Sequence, residues 1–402
     1  CNSMSTIEVN KITPVSGGTA IQVGESGDTI TVPSGATITN SGTATNFTSY
    51  RPNAFPLAYN GNMEVAQYGA SATGLTNGSS GYKTVDRWKW HENGSPSSAW
   101  TMTQETLTSG NAYADGFNSA LKIDCTTAQG SLGTGDTLHI EQRWEKQDLG
   151  AFKKGTANAQ KFTIAFWVKA TKTGTNIVEL QDEGNDRAVS ATYTVSTTDT
   201  WEHKVVTFPA DTTGNFGTGN ALGLILRFYI FAGTDYTSGS LQTAWGASTT
   251  TDRASGQVNN ADSTSNNWHL TGFQLEVGEY SASNLPPYQH ETYADNLFRC
   301  QRYYHKNDTT RWIGAYKRHD AESYFYYTMP RAMRTTPTVS SSDLGHFSSM
   351  EASLGSALSN LGQFEYDEEN GTIIVKVDSN YSGTHVFIPS WESQVIEFSS
   401  EL

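Results

Sequence analysis

The sequence predicts an all-β protein, and three observations support this class. Aromatic residues make up 11% of the 402 residues, whereas charged residues make up only 16%. Aromatic and β-branched side chains suit half-buried pleated surfaces, so this composition is typical of a folded, strand-rich chain and not of a disordered one. Short alternating or apolar runs recur between turn residues and do not alternate with helices, which argues against a parallel α/β sheet.

Residues 1–50 differ from the rest of the chain because their strand-like pieces are very short. Pieces such as 21–23 (IQV), 30–32 (ITV) and 36–38 (ATI) alternate with period two between glycine-rich corners. One copy cannot bury these few apolar side chains, but three copies wound around one axis could bury them together. We therefore predict a trimeric β-stalk here, with a flexible N-terminal arm as the alternative. Residues 51–58 carry two prolines and indicate a linker.

Residues 59–290 are predicted to form a two-sheet jelly-roll β-sandwich, and residues 291–402 a further β-sandwich-like domain, serving as tip or trimerisation unit. One or two helical turns are expected close to the boundary, with Leu297 and Cys300 on one face. The strand-rich pattern of the larger region supports the sandwich because long polar connections separate the strands. Its candidate strands are 120–125, 138–143, 161–170, 176–180, 191–195, 201–208, 222–231 and 267–277.

Charge and cysteine content exclude several classes of partner and site. The net charge of -14 repels phosphate backbones, so no nucleic acid partner is expected, although acidity also serves simple solubility. No apolar run approaches the roughly 18 residues of a membrane span, so no membrane insertion is expected. The three cysteines lack the short spacing of a zinc site or a disulfide framework. Cys125 and Cys300 are predicted to be isolated buried thiols.

The sequence lacks the motifs of common enzyme classes, so we predict no catalytic residues, no cofactor and no metal. It has no G-x-S-x-G, no phosphate-binding glycine loop and no H-E-x-x-H. The acidic segment 182–186 (DEGND) offers oxygen ligands for calcium, but its spacing departs from that of an EF-hand. A plain acidic turn is the other interpretation. Pairs of carboxylates that could cleave a glycoside cannot be recognised without their separation in space.

Aromatic side chains beside polar ones are the candidate carbohydrate-binding residues, because sugar rings stack on aromatic faces while their hydroxyls pair with polar groups. For each candidate, packing in the core or between subunits is the alternative interpretation. The candidate carbohydrate-binding residues are Trp88, Trp90, Arg143, Trp144, Trp312, Tyr324 and Tyr326.

Four segments of the chain resemble bacteriophage tail-fibre (receptor-binding) proteins, in the same order. Residues 59–67 (YNGNMEVAQ) resemble their N-G-N-M-x-V-A-Q opening, and residues 82–88 resemble G-Y-x-x-x-D-R-W. Residues 270–278 (LTGFQLEVG) resemble I-T-G-V-Q-L-E-V-G, and residues 297–304 resemble L-x-x-C-Q-R-Y-Y. The beginning of the chain is also similar to fibre proteins of phages from aquatic hosts, and residues 333–339 are similar to fibre C-termini.

The middle region is also similar to jelly-roll carbohydrate-binding modules of xylanases and related hydrolases. The shared pieces are the N-G-N-M-E opening at 60–64, A-L-K-I at 120–123, F-W-V-K-A at 166–170 and T-W-x-x-x-x-V-T-F at 200–208. This second resemblance implies a sugar-binding sandwich in the same part of the chain.

Together the resemblances imply a homotrimeric, non-enzymatic fibre adhesin that binds a host cell-surface glycan, either polysaccharide or lipopolysaccharide. Its N-terminal region would attach to a tail or baseplate protein of the virion. The expected location is the virion, after assembly in the host cytoplasm. Three alternatives stay open: a structural virion or capsid fibre without a receptor role, a polysaccharide depolymerase tailspike, and a cellular carbohydrate-binding protein.

Overall fold

The computed structural model of the chain confirms the predicted all-β class with sandwich-like antiparallel sheets. The stalk predicted for residues 1–50 and the first part of the predicted linker lie outside the described residues. Within the described part, no helix has the length and apolar character that a membrane-spanning segment needs. The structure describes residues 56–307, 315–319, 322–341, 347–349, 360–367, 371–378, 387–389 and 396–402.

The sandwich is formed by strands from the first part of the described chain. These strands are β1 (Ser71–Leu75), β2 (Gly81–Tyr82), β3 (Lys89–Asn93), β4 (Ala99–Thr106), β5 (Ser119–Thr127), β6 (Thr137–Glu145), β7 (Phe162–Ala170), β8 (Gly174–Asp182), β9 (Arg187–Val195), β10 (Glu202–Phe208), β11 (Leu222–Ala232), β12 (Gly246–Ala247) and β13 (Asn267–Val277). Short helices α1 (Asn111–Ala114) and α2 (Thr234–Thr237) lie in the connections.

The strands form two antiparallel sheets whose facing sides make the core. The six-stranded sheet has the order β1-β4-β5-β13-β7-β10, and the seven-stranded sheet has the order β12-β9-β8-β11-β6-β3-β2. Alternate residues of each strand point inward, which is why Leu138, Ile140 and Trp144 of β6 are completely buried between the sheets. The residues between them point outward, and this alternation is what creates the polar surface described below.

Shorter strands follow the sandwich. Helix α3 (Tyr293–Cys300) begins at Thr292, whose hydroxyl accepts a hydrogen bond from the Asp295 N–H at 3.2 Å and so caps the helix. This confirms the predicted helical turns. The later strands are β14 (Tyr304–Asn307), β15 (Ala315–His319), β16 (Glu322–Thr328), β17 (Thr338–Ser341), β18 (Phe347–Ser349), β19 (Asn360–Asp367), β20 (Thr372–Asp378), β21 (Phe387–Pro389) and β22 (Ile396–Ser399). They pair as β14-β22-β17, β15-β16-β20-β19 and β18-β21.

The segments that carry the fibre resemblance meet in space although they are far apart in sequence. The Asn60 side chain donates to the carbonyl oxygens of Val65 (2.8 Å) and Asp86 (3.0 Å), and it accepts from the Asn296 amide at 3.1 Å. The Gly61 carbonyl accepts from the Phe273 N–H at 2.9 Å, and a Cβ on Gly61 would lie only 2.1 Å from the Phe273 oxygen. These motif residues therefore join α3 to the sandwich, which is a structural role.

Arg87 completes this junction from a buried position. Its backbone has a φ of 69°, and its guanidinium lies 3.5 Å from the centre of the Tyr303 ring. It forms an ion pair with Glu401 and donates to the Arg143 carbonyl at 2.7 Å. The sandwich, the segment after α3 and the last described residues are thus held by one guanidinium. Cys125 and Cys300 are buried free thiols, as predicted.

The acidic segment 182–186 is organised around a lysine. Lys154 Nζ lies 2.6 Å from Asp182 Oδ2 and 3.0 Å from Asp211 Oδ2, and it donates to the carbonyls of Thr213 (3.0 Å) and Gly214 (2.7 Å). Asp182 also accepts from the Asn185 N–H at 3.2 Å, which caps a one-turn 3-10 helix. The position between these oxygens is filled by an ammonium group, so the structure favours the interpretation of this segment as an acidic turn.

Replacing Lys154 by methionine should destabilise the protein strongly. The substitution leaves the carboxylate of Asp182 buried without its cation, which costs about 3–5 kcal/mol in free energy of unfolding, whereas Asp211 keeps Arg187 as a partner. The matched control is Lys161→Met, because the pair Lys161–Glu279 is exposed (42% and 66%) and is worth at most about 1 kcal/mol. Urea unfolding of both variants measures the difference. Equal stability of the two variants would contradict the role given to Lys154.

Candidate functional site

The predicted sugar-stacking tryptophans are not on the surface. Trp88, Trp90 and Trp144 are fully buried between the sheets, where Trp90 packs edge-on against Trp100 at 6.2 Å. A ring with no exposed face cannot stack on a sugar, so the structure corrects the sequence hypothesis and places these three side chains in the core. Their neighbours Lys89, His91 and Arg143 point to the opposite side of the same sheet.

The remaining candidates have different positions. Arg143 is partly exposed on the outer side of the seven-stranded sheet. Tyr326 is 52% exposed on β16. The backbone of Tyr324 lies on the same strand, opposite Tyr316 and Lys376. Trp312 lies outside the described residues. Of the predicted aromatic residues whose side chains are described, Trp88, Trp90 and Trp144 lie in the core and Tyr326 lies on β16, so none shares the outer surface around Arg143.

The outer side of the seven-stranded sheet carries a set of polar side chains that we call the polar face. Its members come from β3, β6, β8 and β11 and from the connection between β12 and β13. They are Lys89, His91, His139, Glu141, Arg143, Glu179, Gln181, Arg227, Tyr229 and Arg253.

Strand register places charges of opposite sign next to each other across the polar face. Lys89 lies opposite Glu141, Glu141 opposite Arg227, and Arg227 opposite Glu179. The row ends at Ser190, which lies opposite Glu179 on β9. Residues directly opposite in antiparallel strands have close Cβ atoms, so alternating charges attract along the whole row.

The hydrogen bonds of this row are short and well directed. Arg227 donates from Nε to Glu141 at 2.9 Å and from Nη1 to Glu179 at 3.2 Å. Arg253 binds Glu179 with two parallel hydrogen bonds of 2.7 and 2.8 Å, and Arg143 donates from Nε to Glu141 at 2.8 Å. Such paired guanidinium–carboxylate contacts are the stronger kind of charge-assisted hydrogen bond and fix the planes of both groups.

The carboxylates lie beneath the cations. Glu141 and Glu179 are 0% exposed, whereas the side chains of Arg227, Arg143 and Arg253 are 9%, 12% and 16% exposed. Burial alone would raise the pKa of both carboxyl groups, but the adjacent arginines hold the pKa of Glu141 well below its usual range and lower that of Glu179. Both groups therefore remain ionised at neutral pH and present no proton to a ligand.

Two histidines lie beside Glu141, and their arrangement does not suit a metal ion. Atoms of His91, His139 and Glu141 that could act as ligands lie within 4.8 Å of one another. However, the two imidazole rings are stacked, with centroids 4.7 Å apart and an angle of 16° between their planes. Their nitrogen lone pairs lie in these nearly parallel planes and therefore do not converge on one metal ion. Glu141 already accepts from Arg227, Arg143 and His139, and a metal cation would lie beside two guanidinium groups.

An apolar cluster borders the polar face. Ile177 and Tyr229 project from β8 and β11 and pack with Ala254, and the half-buried Tyr236 from α2 covers them. Tyr229 also donates to Glu179 at 3.0 Å. At the other end, Arg143 donates to the carbonyl of Leu402 at 3.1 Å. The polar face is therefore bounded by an aromatic side chain at one end and by residues near position 402 at the other.

A separate cleft of about 430 Å³ lies near the 3-10 helix at 146–152 and includes Lys153, Lys154, Asn158 and Phe216. The ammonium of Lys154 is its buried charge, but four oxygen atoms already surround that group, as described above. No donor of Lys154 is left for a ligand, so the polar face is the better candidate site.

Protonation of His139 should couple the stability of the polar face to pH. Burial lowers the pKa of His139 to about 3, although its hydrogen bond to Glu141 acts in the opposite direction. Below about pH 6.5, the ordinary pKa of histidine, His139 is protonated in the unfolded chain but stays neutral in the folded chain. The folded protein therefore has its full free energy of unfolding above pH 6.5, and this free energy decreases as the pH falls towards 3.

Urea unfolding of the wild type and of His139→Gln at pH 6, 5 and 4 measures this coupling. The stability of the wild type relative to the variant should decrease by about 2.5 kcal/mol from pH 6 to pH 4. Glutamine retains a donor for Glu141, so the two proteins differ mainly in the ionisable group. A difference that stays constant with pH would show that His139 does titrate normally in the folded state.

No model of a known protein family matches the sequence, and no curated protein does. About half of this chain is similar to solved structures. The enzymatically active domain of tailspike protein 4 of bacteriophage CBA120 matches with a TM-score of 0.27 and 12% identity, over 51% of this chain and 21% of that chain. A candidate sugar-binding protein from Bacteroides thetaiotaomicron VPI-5482 matches with a TM-score of 0.29 and 13% identity, over 56% of this chain and 100% of that one. TmCBM61, solved in complex with β-1,4-galactotriose, matches with a TM-score of 0.25 and 9% identity, over 56% and 99% of the two chains.

Proposed function

We propose that this chain is a carbohydrate-binding adhesin of a bacteriophage tail fibre and that it holds a host cell-surface glycan on the polar face. The observation that carries the carbohydrate part is the set of arginine donors, Arg143, Arg227 and Arg253, which buried carboxylates hold in place. The fibre part is supported by the ordered sequence motifs, whose residues form the junction around Asn60 and Arg87.

The chemistry of the polar face suits a saccharide. A sugar presents many hydroxyl oxygens, which accept hydrogen bonds from guanidinium, ammonium, amide and imidazole groups. Here Gln181, His91 and the arginines supply such groups on neighbouring strands, and Tyr236 supplies an aromatic ring at the border. Because ion pairs already fix the arginine side chains, they lose little conformational entropy on binding.

The two carboxylates of the polar face support binding without cleavage. Glycoside hydrolysis requires one protonated carboxyl group as the acid and a second carboxylate as nucleophile or base. Glu141 and Glu179 are both kept ionised and both saturated by arginine. Neither group is placed to donate a proton to a leaving oxygen, so the proposed function is attachment, with depolymerisation as the competing outcome in the test below.

Several copies of the polar face on one fibre would strengthen attachment. A single polar face offers a modest number of contacts, but several copies on one fibre raise the effective concentration of each site near a repetitive polysaccharide. We propose that the trimer predicted from residues 1–50 provides these copies and that the same region attaches to the virion tail or baseplate.

Glycan binding by the purified chain tests the proposal, with surface polysaccharides and lipopolysaccharides of bacterial hosts as probes. His91→Ala should weaken binding about fivefold, because one hydrogen bond to the ligand is worth about 1 kcal/mol. The matched control is His203→Ala, an exposed histidine on β10 of the other sheet. Reducing-end release from the bound polysaccharide is measured in parallel.

Three results would count against the proposal. Failure to retain any polysaccharide, together with failure to block phage adsorption, contradicts the adhesin function. A loss of binding in His203→Ala with none in His91→Ala places the site on the six-stranded sheet. Release of reducing ends at a rate that His91→Ala reduces shows that the chain cleaves the glycan it holds.

A further inference from the structure

We propose that the polar face selects acidic saccharides, meaning glycans that carry carboxylate, sulfate or phosphate groups. This inference rests on the proposed function, because it names the class of glycan that the same face would hold.

The first support is the local charge. The polar face contains four basic side chains (Lys89, Arg143, Arg227 and Arg253) and two carboxylates (Glu141 and Glu179), a surplus of two positive charges. The whole chain has a net charge of -14, so this face is positive on an otherwise acidic protein. The nearby carboxylate of Glu401 is paired with Arg87 and does not cancel the surplus.

The second support is the order of the charges from the interior to the surface. The carboxylates are fully buried, while the cations above them retain exposed surface, which rises from 9% for Arg227 to 16% for Arg253. A ligand that approaches the sheet therefore meets positive groups first. Buried carboxylates also hold the guanidinium planes in place, as needed for two-point contact with a carboxylate or sulfate.

The third support is that several donors have no protein partner. Arg227 Nη2 and Arg253 Nη1 have no hydrogen bond with any described residue, and these atoms are not buried. Lys89 has no carboxylate within ion-pair distance in the described part of the chain.

Lys89 also shows that the cations repel one another. Burial lowers the pKa of Lys89, and the charges of Arg143 and Arg227 lower it further, while Glu141 and Glu401 only partly oppose this shift. An anionic group bound between Lys89 and Arg143 would relieve this repulsion, whereas a neutral hydroxyl would not. A ligand charge therefore gains energy here that a neutral sugar of the same shape does not gain.

Calorimetric titration with oligogalacturonides and their carboxyl-reduced counterparts tests the inference. The reduced sugars keep the skeleton and linkages but lose the charge. We expect the acidic oligomers to bind at least tenfold more tightly, and their affinity to decrease when NaCl is raised from 50 to 500 mM, because salt screens exposed charges. Dextran sulfate and dextran provide the same comparison for sulfate groups.

Two variants of equal charge locate the site. Lys89→Gln should weaken binding of the acidic oligomers about tenfold, because it removes a charge-assisted hydrogen bond. Lys122→Gln, on β5 of the other sheet, removes the same charge and should leave binding unchanged. Because Lys89 has no ion pair within the described structure, its replacement leaves no buried carboxylate unpaired, and an unchanged urea midpoint verifies the fold.

The possible results separate this inference from the proposed function. Equal binding of acidic and reduced oligomers overturns the preference for acidic saccharides but leaves carbohydrate binding intact. Binding that both lysine variants weaken equally shows a diffuse charge effect and overturns the assignment to the polar face. Absence of binding to acidic probes, with retention of neutral host glycans, overturns the inference alone, whereas absence of binding to every saccharide overturns the proposed function as well.

Discussion

The pair of buried carboxylates on either side of Arg227 is the constraint on which the polar face depends. Glu141 and Glu179 have no exposed surface, so each must keep a cationic partner or pay several kcal/mol for an unpaired charge. Arg227 meets both only when β6, β11 and β8 pair in the observed register. A shift by one residue would move every outward polar group into the core. The ion network that orients the donors therefore also opposes such a shift.

The polar face lies on strands that are fixed at several points, and this rigidity matters for recognition. Lys154 holds the loops near β8 through Asp182 and Asp211, and Arg87 holds residues near β6 and Glu401. A binding surface on rigid elements keeps its donors in place before the ligand arrives. Such a surface can discriminate by charge and direction, even though each individual contact with a sugar contributes only modestly.

Much of the fold could be predicted from the sequence, but the composition of the site could not. The residue patterns of 138–143 and 222–231 predict strands, and the structure confirms both. Periodicity does not say which side of a strand faces the core, so the sequence leaves both sugar stacking and core packing open for the tryptophans and does not single out Lys89 and His91. Arg227 stands alone in an apolar strand, a signal that could have been noticed. Its partners come from β6 and β8, which lie beside β11 in the sheet but far from it in sequence, and only the sheet order reveals them.

Hydrogen–deuterium exchange of the intact chain, with and without a bound host polysaccharide, tests the central claim most directly. If the polar face holds the glycan, added protection should appear in β3, β8 and the segment that contains Arg253, since these elements surround the outward donors. The six-stranded sheet should exchange as it does without ligand. Protection confined to the strands after α3, or to β7 and β10, would contradict the assignment of recognition to the charged row.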